Sequence, residues 1–315
     1  MAELQNVFSW SRSRDRVFQE CRRKYWFQHY GSWGGWDARS EPRTREIYVL
    51  KQLQSRWMWA GDRVHHAIED VLKAARNGSR VPLEKALAAT LDAMRKEWKA
   101  SKEREYRKAP KKVPGLFEHE YLPELPREKW AAVGALVETC LKNFYAGPLA
   151  AEMFGLTRER WLTVEDMEQF DFEGTPVWVK IDAAFRAEGG GARIVDWKTG
   201  RKQEEGFDEI QLGCYTVFAR QKWGFGPGAV SAELVYLAAG ERVEVPMTEE
   251  AVERTRAAMR ASIAAMREVL ADPAANAARE ADFPYTDELK LCRSCNFQKV
   301  CEGAKREKQV MSAED

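Results

Sequence analysis

Two β-strands joined by a glycine-rich turn are predicted where the chain reads VKIDAAFRAEGGGARIVDWKTG, residues 179–200. Because side chains alternate between the two faces of a strand, Asp182 points away from the apolar residues of the first strand. Those residues share one face and are Val177, Val179, Ile181, Ala183 and Phe185. In the second strand Asp196 and Lys198 point the same way, and the turn at residues 189–191 can set Asp182 beside Asp196. The segment therefore predicts two carboxylates and a lysine at one place on a sheet.

Paired carboxylates of this kind are typical of a site for a hard metal ion. Two such groups repel and raise each other's pKa unless a cation lies between them, and oxygen ligands select ions such as Mg²⁺ or Mn²⁺. Lys198 can then orient an attacking water or stabilise charge that builds on a phosphate. A single Asp-x-Lys triplet is more often an ordinary strand edge with surface charges. The matching position of Asp182 on the preceding strand argues against that alternative.

The predicted elements run from helices to strands and back to a helix. Apolar periodicity predicts helices over 8–30, 61–76, 83–106 and 127–146, with a loop near 109–126. Strands are predicted over 160–172, 176–186 and 193–199, then a helix over 208–222, a hairpin of 230–237 with 242–245, and a helix over 248–270. This order predicts an α/β sheet with a helical insertion at 77–157 and a lobe in which the two chain ends meet.

Four of the six cysteines form a pattern typical of a metal site. Cys140 and Cys214 lie in apolar helical contexts, where a thiol behaves as a small buried hydrophobe. Three others near the end of the chain are spaced C-x2-C-x5-C, and an upstream one is the natural fourth ligand: Cys292, Cys295, Cys301 and Cys21. Clustered thiolates bind Zn²⁺ or an iron–sulfur cluster, and spacing alone does not separate the two. The alternative is a set of free cysteines.

Positive charge is concentrated in two stretches, although the net charge is only +1. Residues 12–24 carry six cations interleaved with aromatic side chains, a combination that suits phosphates and unstacked bases. The candidates for nucleic-acid contacts are therefore Arg14, Arg23, Lys24 and Tyr25. Residues 95–112 hold nine Lys or Arg and are equally well explained as a solvated helix face.

The sequence also indicates where the protein works. It contains no apolar run of about 18 residues that would span a membrane, and its start lacks the basic-then-apolar order of a secretory signal. A cytoplasmic protein without a membrane partner is expected. Because there is no G-x-x-x-x-G-K-[ST] phosphate loop, any helicase would have to be a separate partner.

The acidic centre resembles motifs II and III of the RecB-like PD-(D/E)XK nucleases, which commonly read G-x-x-D followed by V-D-Y/W-K-T-G. The glycine position is here occupied by Val179 or Lys180, which departs from motif II. Residues 61–69, GDRVHHAIE, resemble the family's G-x-x-x-H-x-x-x-E helix, and the register favours His65 over the neighbouring His66. Residues 211–215, QLGCY, resemble its Q-x-x-x-Y motif, whose spacing puts both side chains on one helix face.

The resemblance implies a restriction-endonuclease-like core, a central mixed sheet flanked by helices, around a Mg²⁺ or Mn²⁺ centre. The implied ligands are His65, Asp182, Asp196 and the backbone carbonyl of Trp197. Glu69 would hold the other nitrogen of His65, and Lys198 would steer the attacking water. Gln211 and Tyr215 would touch the active site or the DNA, with core packing as the alternative for Tyr215.

One cysteine upstream and three downstream of these motifs resemble the iron–sulfur nucleases, which include the CRISPR-associated RecB-like exonucleases and the AddB-type nuclease domains. Residues 11–25 match the accompanying S-x-S-R-x-x-x-F-x-x-C-x-R-K-Y stretch. The resemblance implies a structural four-iron four-sulfur cluster on Cys21, Cys292, Cys295 and Cys301, with Zn²⁺ as the alternative. The cluster would lie in a lobe of residues 1–30 and 280–305 within a single nuclease domain, 1–315.

Together these features predict a metal-dependent DNA nuclease, an exonuclease that acts on single-stranded or end-containing DNA. One alternative is a catalytically inactive DNA-binding or adaptor module on the same fold, against which the presence of Asp182, Asp196 and Lys198 argues. Another is a zinc-stabilised interaction domain whose acids are incidental. Iron content and a nuclease assay with divalent ions separate the three.

Overall fold

The computed structural model of the chain describes residues 4–37, 39–200 and 207–304, which form two compact units. The cysteine unit comprises the chain up to Ser55, Ala100–Tyr121 and the chain from Arg260 onward. The sheet unit comprises Arg56–Lys99 and Leu122–Met259. Within the described ranges, each helix is too short or too polar to traverse a lipid bilayer.

The element bounds follow the predicted order closely. The α-helices described are α1 (Arg12–Glu20), α2 (Arg22–Trp26), α3 (Pro42–Lys51), α4 (Arg56–Arg76), α5 (Leu83–Lys102), α6 (Phe117–Tyr121), α7 (Arg127–Ala146), α8 (Pro148–Phe154), α9 (Phe207–Trp223) and α10 (Glu249–Glu268). The strands are β1 (Leu53–Gln54), β2 (Gly115–Leu116), β3 (Trp161–Val164), β4 (Met167–Phe172), β5 (Thr175–Lys180), β6 (Ala183–Arg186), β7 (Ala192–Lys198), β8 (Val230–Tyr236) and β9 (Glu241–Val245). Helix α4 buries Val64, Ile68 and Val71 on one stripe, as its periodicity predicts.

The sheet unit is built around a five-stranded sheet in the order β3-β6-β7-β8-β9. Strands β7 and β8 are parallel, and the other neighbours are antiparallel. Strand β7 is buried on both faces, as expected for a central strand of a covered sheet, and α9 packs against β7 and β8. The predicted α/β class, with a central mixed sheet flanked by helices, is confirmed.

Two strands that were predicted as continuous are each interrupted, and the residues at the two interruptions are hydrogen-bonded to each other. The strand predicted over 160–172 ends at Glu165, whose φ of 56° lies in the left-handed region that a strand cannot include. The strand predicted over 176–186 is interrupted at Ile181 and Asp182, whose carbonyls both accept from the Glu165 amide, at 3.0 and 3.1 Å. Strand β3 therefore pairs with β6 in the large sheet, whereas β4 and β5 form a separate hairpin. The prediction of two continuous strands is wrong here.

The cysteine unit also interrupts a predicted element, the helix over 8–30. Cys21 has extended backbone (φ −165°, ψ 113°) that separates α1 from α2, and its Sγ accepts the Lys24 amide at 3.4 Å as the cap of α2. The loop predicted near 109–126 contains β2 and α6. The core of this unit includes Phe27, Leu50 and Phe297, and Cys295 and Cys301 pack partly buried against it.

Candidate metal centre

The two aspartates lie at the end of the β6–β7 pair in the sheet unit. The register sets Ala183 opposite Val195, which brings Asp182 across from Asp196 one residue further on. Asp182 Oδ2 accepts a 2.6 Å hydrogen bond from the Trp197 amide, and both aspartates are buried. Because the N–H and C=O of a strand residue point to the same side, the Trp197 carbonyl faces the side on which Asp182 lies.

The predicted alternation of apolar and acidic side chains along one strand, residues 177–185, does not hold, because this stretch belongs to two strands. Val177 and Val179 belong to β5 in the hairpin, whereas Ala183 and Phe185 belong to β6 in the large sheet. Ala184, between them, is also buried, so β6 is covered on both faces. The register of the β6–β7 hairpin, and not alternation along one strand, brings the two aspartates together.

A histidine and a glutamate converge on Asp182. His65 Nδ1 lies 3.0 Å from Glu165 Oε1 and 3.5 Å from Asp182 Oδ1, and ligand atoms of the three side chains all lie within 4.8 Å of one another. Burial alone would lower the pKa of His65, but the two carboxylates raise it well above 6.5. His66 is exposed and its Nδ1 lies 2.7 Å from the Asp62 carbonyl. The structure thus places His65, and not His66, against the carboxylates.

Glu165 is a site residue that the sequence interpretation missed. Its side chain is only 3% exposed, and its Oε2 lies 2.7 Å from Lys180 Nζ. Burial raises the pKa of Glu165, but His65 and Lys180 together bring it below its usual 4.5. The signal available in the sequence is the acidic pair of Glu165 and Asp166, which interrupts the apolar run of the preceding strand.

Glu69 lies one turn after His65 on α4, but its carboxylate is engaged elsewhere. Glu69 Oε1 lies 2.6 Å from Lys73 Nζ. The carboxylate that holds His65 Nδ1 belongs to Glu165. The carboxylate beside His65 therefore comes from a residue one hundred positions after His65, because the bend after β3 turns the Glu165 side chain inward.

A chain of hydrogen bonds connects Lys198 with helix α9. Lys198 Nζ lies 2.7 Å from Asp196 Oδ2 and donates to Gln211 Oε1 at 3.1 Å. The Gln211 amide nitrogen donates to Asp196 Oδ1 and to the Tyr215 hydroxyl, each at 2.8 Å. Tyr215 in turn donates to the Lys180 carbonyl at 2.8 Å. Tyr215 is therefore buried and also part of the polar network around the acids.

Two features keep this network in one protonation state and one position. Burial, with Asp196 and Asp182 nearby, raises the pKa of Tyr215 well above 10.0, so its hydroxyl stays protonated and donates. Gly213, between Gln211 and Tyr215, faces Thr255 of α10 so closely that a Cβ there would collide with the threonine side chain. Only glycine allows α10 to press α9 onto the sheet at this point.

The electrostatics of the acids fit a divalent cation. Burial, together with the charge of Asp182, raises the pKa of Asp196 to about 7, although Lys198 acts in the opposite direction. A cation between the carboxylates would remove this repulsion. The donor set, carboxylate oxygens with one imidazole and a backbone carbonyl facing them, suits Mg²⁺ or Mn²⁺. The arrangement can therefore hold an ion next to the Lys198 ammonium group.

The four predicted cysteine ligands meet in the cysteine unit. Cys21, Cys292, Cys295 and Cys301 line one cavity of about 210 Å³, together with Lys24 and Tyr285. Among the described residues, which include these four, only the His65 group puts three ligand atoms within 4.8 Å of one another. The thiols are thus more widely spread. Burial raises the pKa of Cys295 to about 12 and also raises that of Cys301.

The walls of the cavity are held by Arg23. Its Nε donates to the Phe283 carbonyl at 2.7 Å, its Nη1 lies 3.0 Å from Glu280 Oε1, and its guanidinium carbon lies 4.3 Å from the centre of the Tyr285 ring. Arg23 lies two residues after Cys21. It therefore connects that part of the chain to residues 280–285, which precede Cys292.

Arg23 and Tyr25, which were predicted to contact nucleic acid, are both buried. Tyr25 has no exposed surface and packs edge-on against Phe18, with 5.2 Å between ring centres. Arg23 is buried among the contacts that hold the cavity. Lys24 is partly exposed but lies 2.8 Å from Glu20, and Arg14, half-buried, donates to the Ser9 carbonyl at 2.9 Å. Of the four residues, Arg23 and Tyr25 are thus part of the interior of the lobe, whereas Arg14 and Lys24 are partly exposed.

A comparison with protein families places these features in context. The family model described as the PD-(D/E)XK nuclease superfamily matches residues 9–302. No curated protein matches the chain. The matched span contains the carboxylates, His65, Lys198 and all four cysteines of the cavity.

Proposed function

The chain belongs to the PD-(D/E)XK nuclease superfamily, and from this we propose that it is a RecB-like DNA exonuclease that also carries an iron–sulfur cluster. Membership of the superfamily makes it a metal-dependent nuclease. The observation that carries the more specific proposal is the convergence of His65, two aspartates and Lys198 in one buried site of the sheet unit. Each of these positions carries the residue type that the nuclease motifs require, which argues against a catalytically inactive adaptor.

We assign the metal to the side chains that surround Asp182. His65, Asp182 and Glu165, whose ligand atoms lie within 4.8 Å of one another, would hold a Mg²⁺ or Mn²⁺ ion, and Asp196, across from Asp182, and the Trp197 carbonyl would complete the set. Such an ion supplies a Lewis acid that makes water more acidic and neutralises phosphate charge. Two of these contacts, at 3.0 and 3.5 Å, are near the separation of about 3 Å expected for adjacent ligands at the ~2.1 Å bond lengths of Mg²⁺.

The remaining residues act by position and charge. Lys198 brings an ammonium group to the edge of the acids, where it orients the attacking water or stabilises the negative charge that develops on the phosphate. Gln211 bonds Lys198 and Asp196 at once, so it fixes the separation of the ammonium group from the carboxylate. Tyr215 holds Gln211 and is itself anchored on the Lys180 carbonyl. These two are positioning residues.

For the cysteine cavity we propose a structural four-iron four-sulfur cluster. A tetrahedral zinc ion with Zn–S bonds of about 2.3 Å needs all four sulfur atoms roughly 3.8 Å apart. The four cysteines line a single cavity of about 210 Å³. In the part of the chain that the structure describes, no three of their sulfur atoms lie within 4.8 Å of one another. A wider ligand spacing suits a polynuclear cluster held by four thiolates. The cluster would join the segment around Cys21 to the end of the chain.

The nuclease proposal is tested by digestion of end-labelled linear DNA and of circular single-stranded DNA with Mg²⁺ or Mn²⁺. We expect stepwise loss of the linear substrates, survival of the circle, and no cleavage by Asp196→Asn. Cleavage of the circle would replace the exonuclease proposal with an endonuclease. Absence of any cleavage by the wild-type protein with either ion would contradict catalytic function.

The cluster proposal is tested on protein purified without oxygen. We expect a brown sample with iron and acid-labile sulfide in near-equal amounts. A colourless sample that contains zinc and no iron would overturn the assignment and would favour the zinc-stabilised alternative.

A further inference from the structure

Large apolar side chains are exposed on two elements of the sheet unit that also carry residues at or beside the candidate metal centre. In the sheet unit, Trp57 is 45% exposed at the start of α4, and Trp178 is 39% exposed on β5, with Met167 on the neighbouring strand at 61%. Single exposed apolar side chains are common on protein surfaces, and the two tryptophans are distinguished by the elements that carry them and the cations near them. Both tryptophans are connected to the metal centre through the elements that carry them.

Trp57 precedes His65 on α4 and is offset from it by about 80° around the helix axis. Residues 57, 61 and 65 follow one another at intervals of four, and such residues lie on neighbouring parts of one helix face. Trp57 is therefore two turns, about 12 Å along the axis, from His65. The position between them is Gly61, where a Cβ would lie 3.0 Å from Thr199 Oγ1, in the residue that follows Lys198. Gly61 thus leaves the surface of α4 between Trp57 and His65 without a side chain, next to the residue that follows Lys198.

Trp178 lies on the β4–β5 hairpin, whose Lys180 contacts Glu165. Trp178 and Lys180 lie two residues apart on one face of β5, about 7 Å from each other. Met167 is directly opposite Lys180 in the register and completes that exposed face. Lys180 Nζ lies 2.7 Å from Glu165 Oε2, and Glu165 Oε1 lies 3.0 Å from His65 Nδ1. One ion pair and one hydrogen bond therefore separate the hairpin face from the metal ligands.

We propose that Trp57 and Trp178 are stacking platforms for unpaired bases on the two sides of the scissile phosphate. This rests on the proposed nuclease function and specifies its substrate as a single strand. Each ring has a cation nearby: the Arg56 guanidinium carbon lies 4.9 Å from the Trp57 ring centre, and Lys180 lies two residues from Trp178 on the same face of β5. Aromatic rings with adjacent cations bind bases and phosphates of an unpaired strand. A duplex cannot use the rings, because its bases are stacked on one another.

The test is binding of a labelled single-stranded DNA, and of the same sequence as a blunt duplex, measured by fluorescence anisotropy in EDTA so that no cleavage occurs. Trp57→Ala and Trp178→Ala should each weaken single-strand binding about tenfold and leave duplex binding unchanged. Trp57→Phe and Trp178→Phe should restore most of the affinity. Trp33→Ala, which removes an equally exposed tryptophan (40%) of the cysteine unit, is the matched control.

An abasic nucleotide moved along the single strand identifies the stacking partner of each ring. The wild-type protein should lose affinity when the abasic position faces a ring, and the alanine variant of that ring should show no further loss there. Alanine variants that bind the single strand as tightly as wild type, while wild type still cleaves DNA, would overturn this proposal and leave the nuclease function standing. A wild-type protein that cleaves no DNA would refute the nuclease function itself.

Discussion

The candidate metal centre of the sheet unit and the cysteine cavity both gather side chains that are far apart in the sequence, but they differ in how their charges are balanced. At the metal centre Glu165 lies against His65 and Lys180, and Asp196 lies against Lys198. The ligands are thus already held by one another. At the cavity, burial raises the pKa of two thiols, so the thiolates that a metal needs are disfavoured until positive charge enters.

This difference teaches which function each bound group serves. A site whose ligands are fixed by their own hydrogen bonds needs its ion for chemistry and not for folding. A cavity whose thiols become thiolates only with metal gains its binding energy as folding energy. The ion at the metal centre should therefore govern cleavage, and the cluster should govern stability.

The largest expected effect is on cleavage. Lys198→Ala removes the only cation that Asp196 contacts among the described ion pairs and should lower the cleavage rate about a thousandfold, while DNA binding and thermal stability change little. Single-turnover cleavage of an end-labelled strand measures the rate. Lys142→Ala, which removes a lysine that is 56% exposed on α7, is the control and should cleave normally. Normal cleavage by the Lys198 variant would refute the role assigned to this residue.

The second effect is on stability. Cys301→Ser should lose iron and destabilise the protein by about 4 kcal/mol, as expected when a structural metal site is lost. Denaturant unfolding under anaerobic conditions measures this. Cys140→Ala is the matched control, since Cys140 is a buried cysteine of the sheet unit that lies outside the cavity. It should keep its iron and lose only about 1 kcal/mol from the smaller side chain. Equal losses in both variants would mean that the cavity holds no stabilising cluster.

The third effect is on ion affinity. Glu165→Gln keeps the size of the side chain but removes the charge beside His65, so Mn²⁺ affinity should fall about tenfold, as for other supporting carboxylates. Titration calorimetry without DNA measures this. Glu69→Gln serves as the control, because Glu69 contacts Lys73 and not the histidine. A larger loss for the Glu69 variant would restore the role that sequence similarity implied for it.

Local rules were sufficient to predict part of this site. The hairpin with Asp182, Asp196 and Lys198, and the spacing of Gln211 and Tyr215 on one helix face, depend on residues close in sequence. Glu165 escaped prediction because its side chain turns inward only through a left-handed backbone, and that bend is set by hydrogen bonds to residues 181 and 182. No periodicity within residues 160–172 reports such a contact.

The burial of individual side chains also could not be predicted from residues close in the sequence. The stretch around Tyr25 has the composition of a nucleic-acid-binding surface. Tyr25 and Arg23 are instead buried, and both contact Phe283, more than 250 positions away, whose ring stacks on Tyr25 and whose carbonyl accepts from Arg23. The sequence also does not show which tryptophans are exposed, since Trp10 is fully buried and Trp178 is exposed. Which tryptophan reaches solvent depends on tertiary packing.

The fourth effect concerns pH and the cysteine unit. His119 of α6 is buried beside Glu120 and Tyr121, and Tyr121 donates to the Asn296 carbonyl at 2.5 Å, between two of the cavity cysteines. Burial, with a smaller contribution from Lys102, lowers the pKa of His119 from 6.5 to about 4. Between these values the unfolded chain binds a proton that the folded chain does not, so stability should fall as the pH decreases through this window.

His119→Gln cannot titrate but can still hydrogen-bond the Ser101 hydroxyl, which His119 Nδ1 meets at 2.9 Å. The free energy of unfolding should therefore fall between pH 7 and pH 4.5 by about 2 kcal/mol less in this variant than in the wild type. Denaturant unfolding at each pH, with iron content followed in parallel, measures the difference. If both proteins lost stability equally over this range, the acid sensitivity would have to come from groups other than His119.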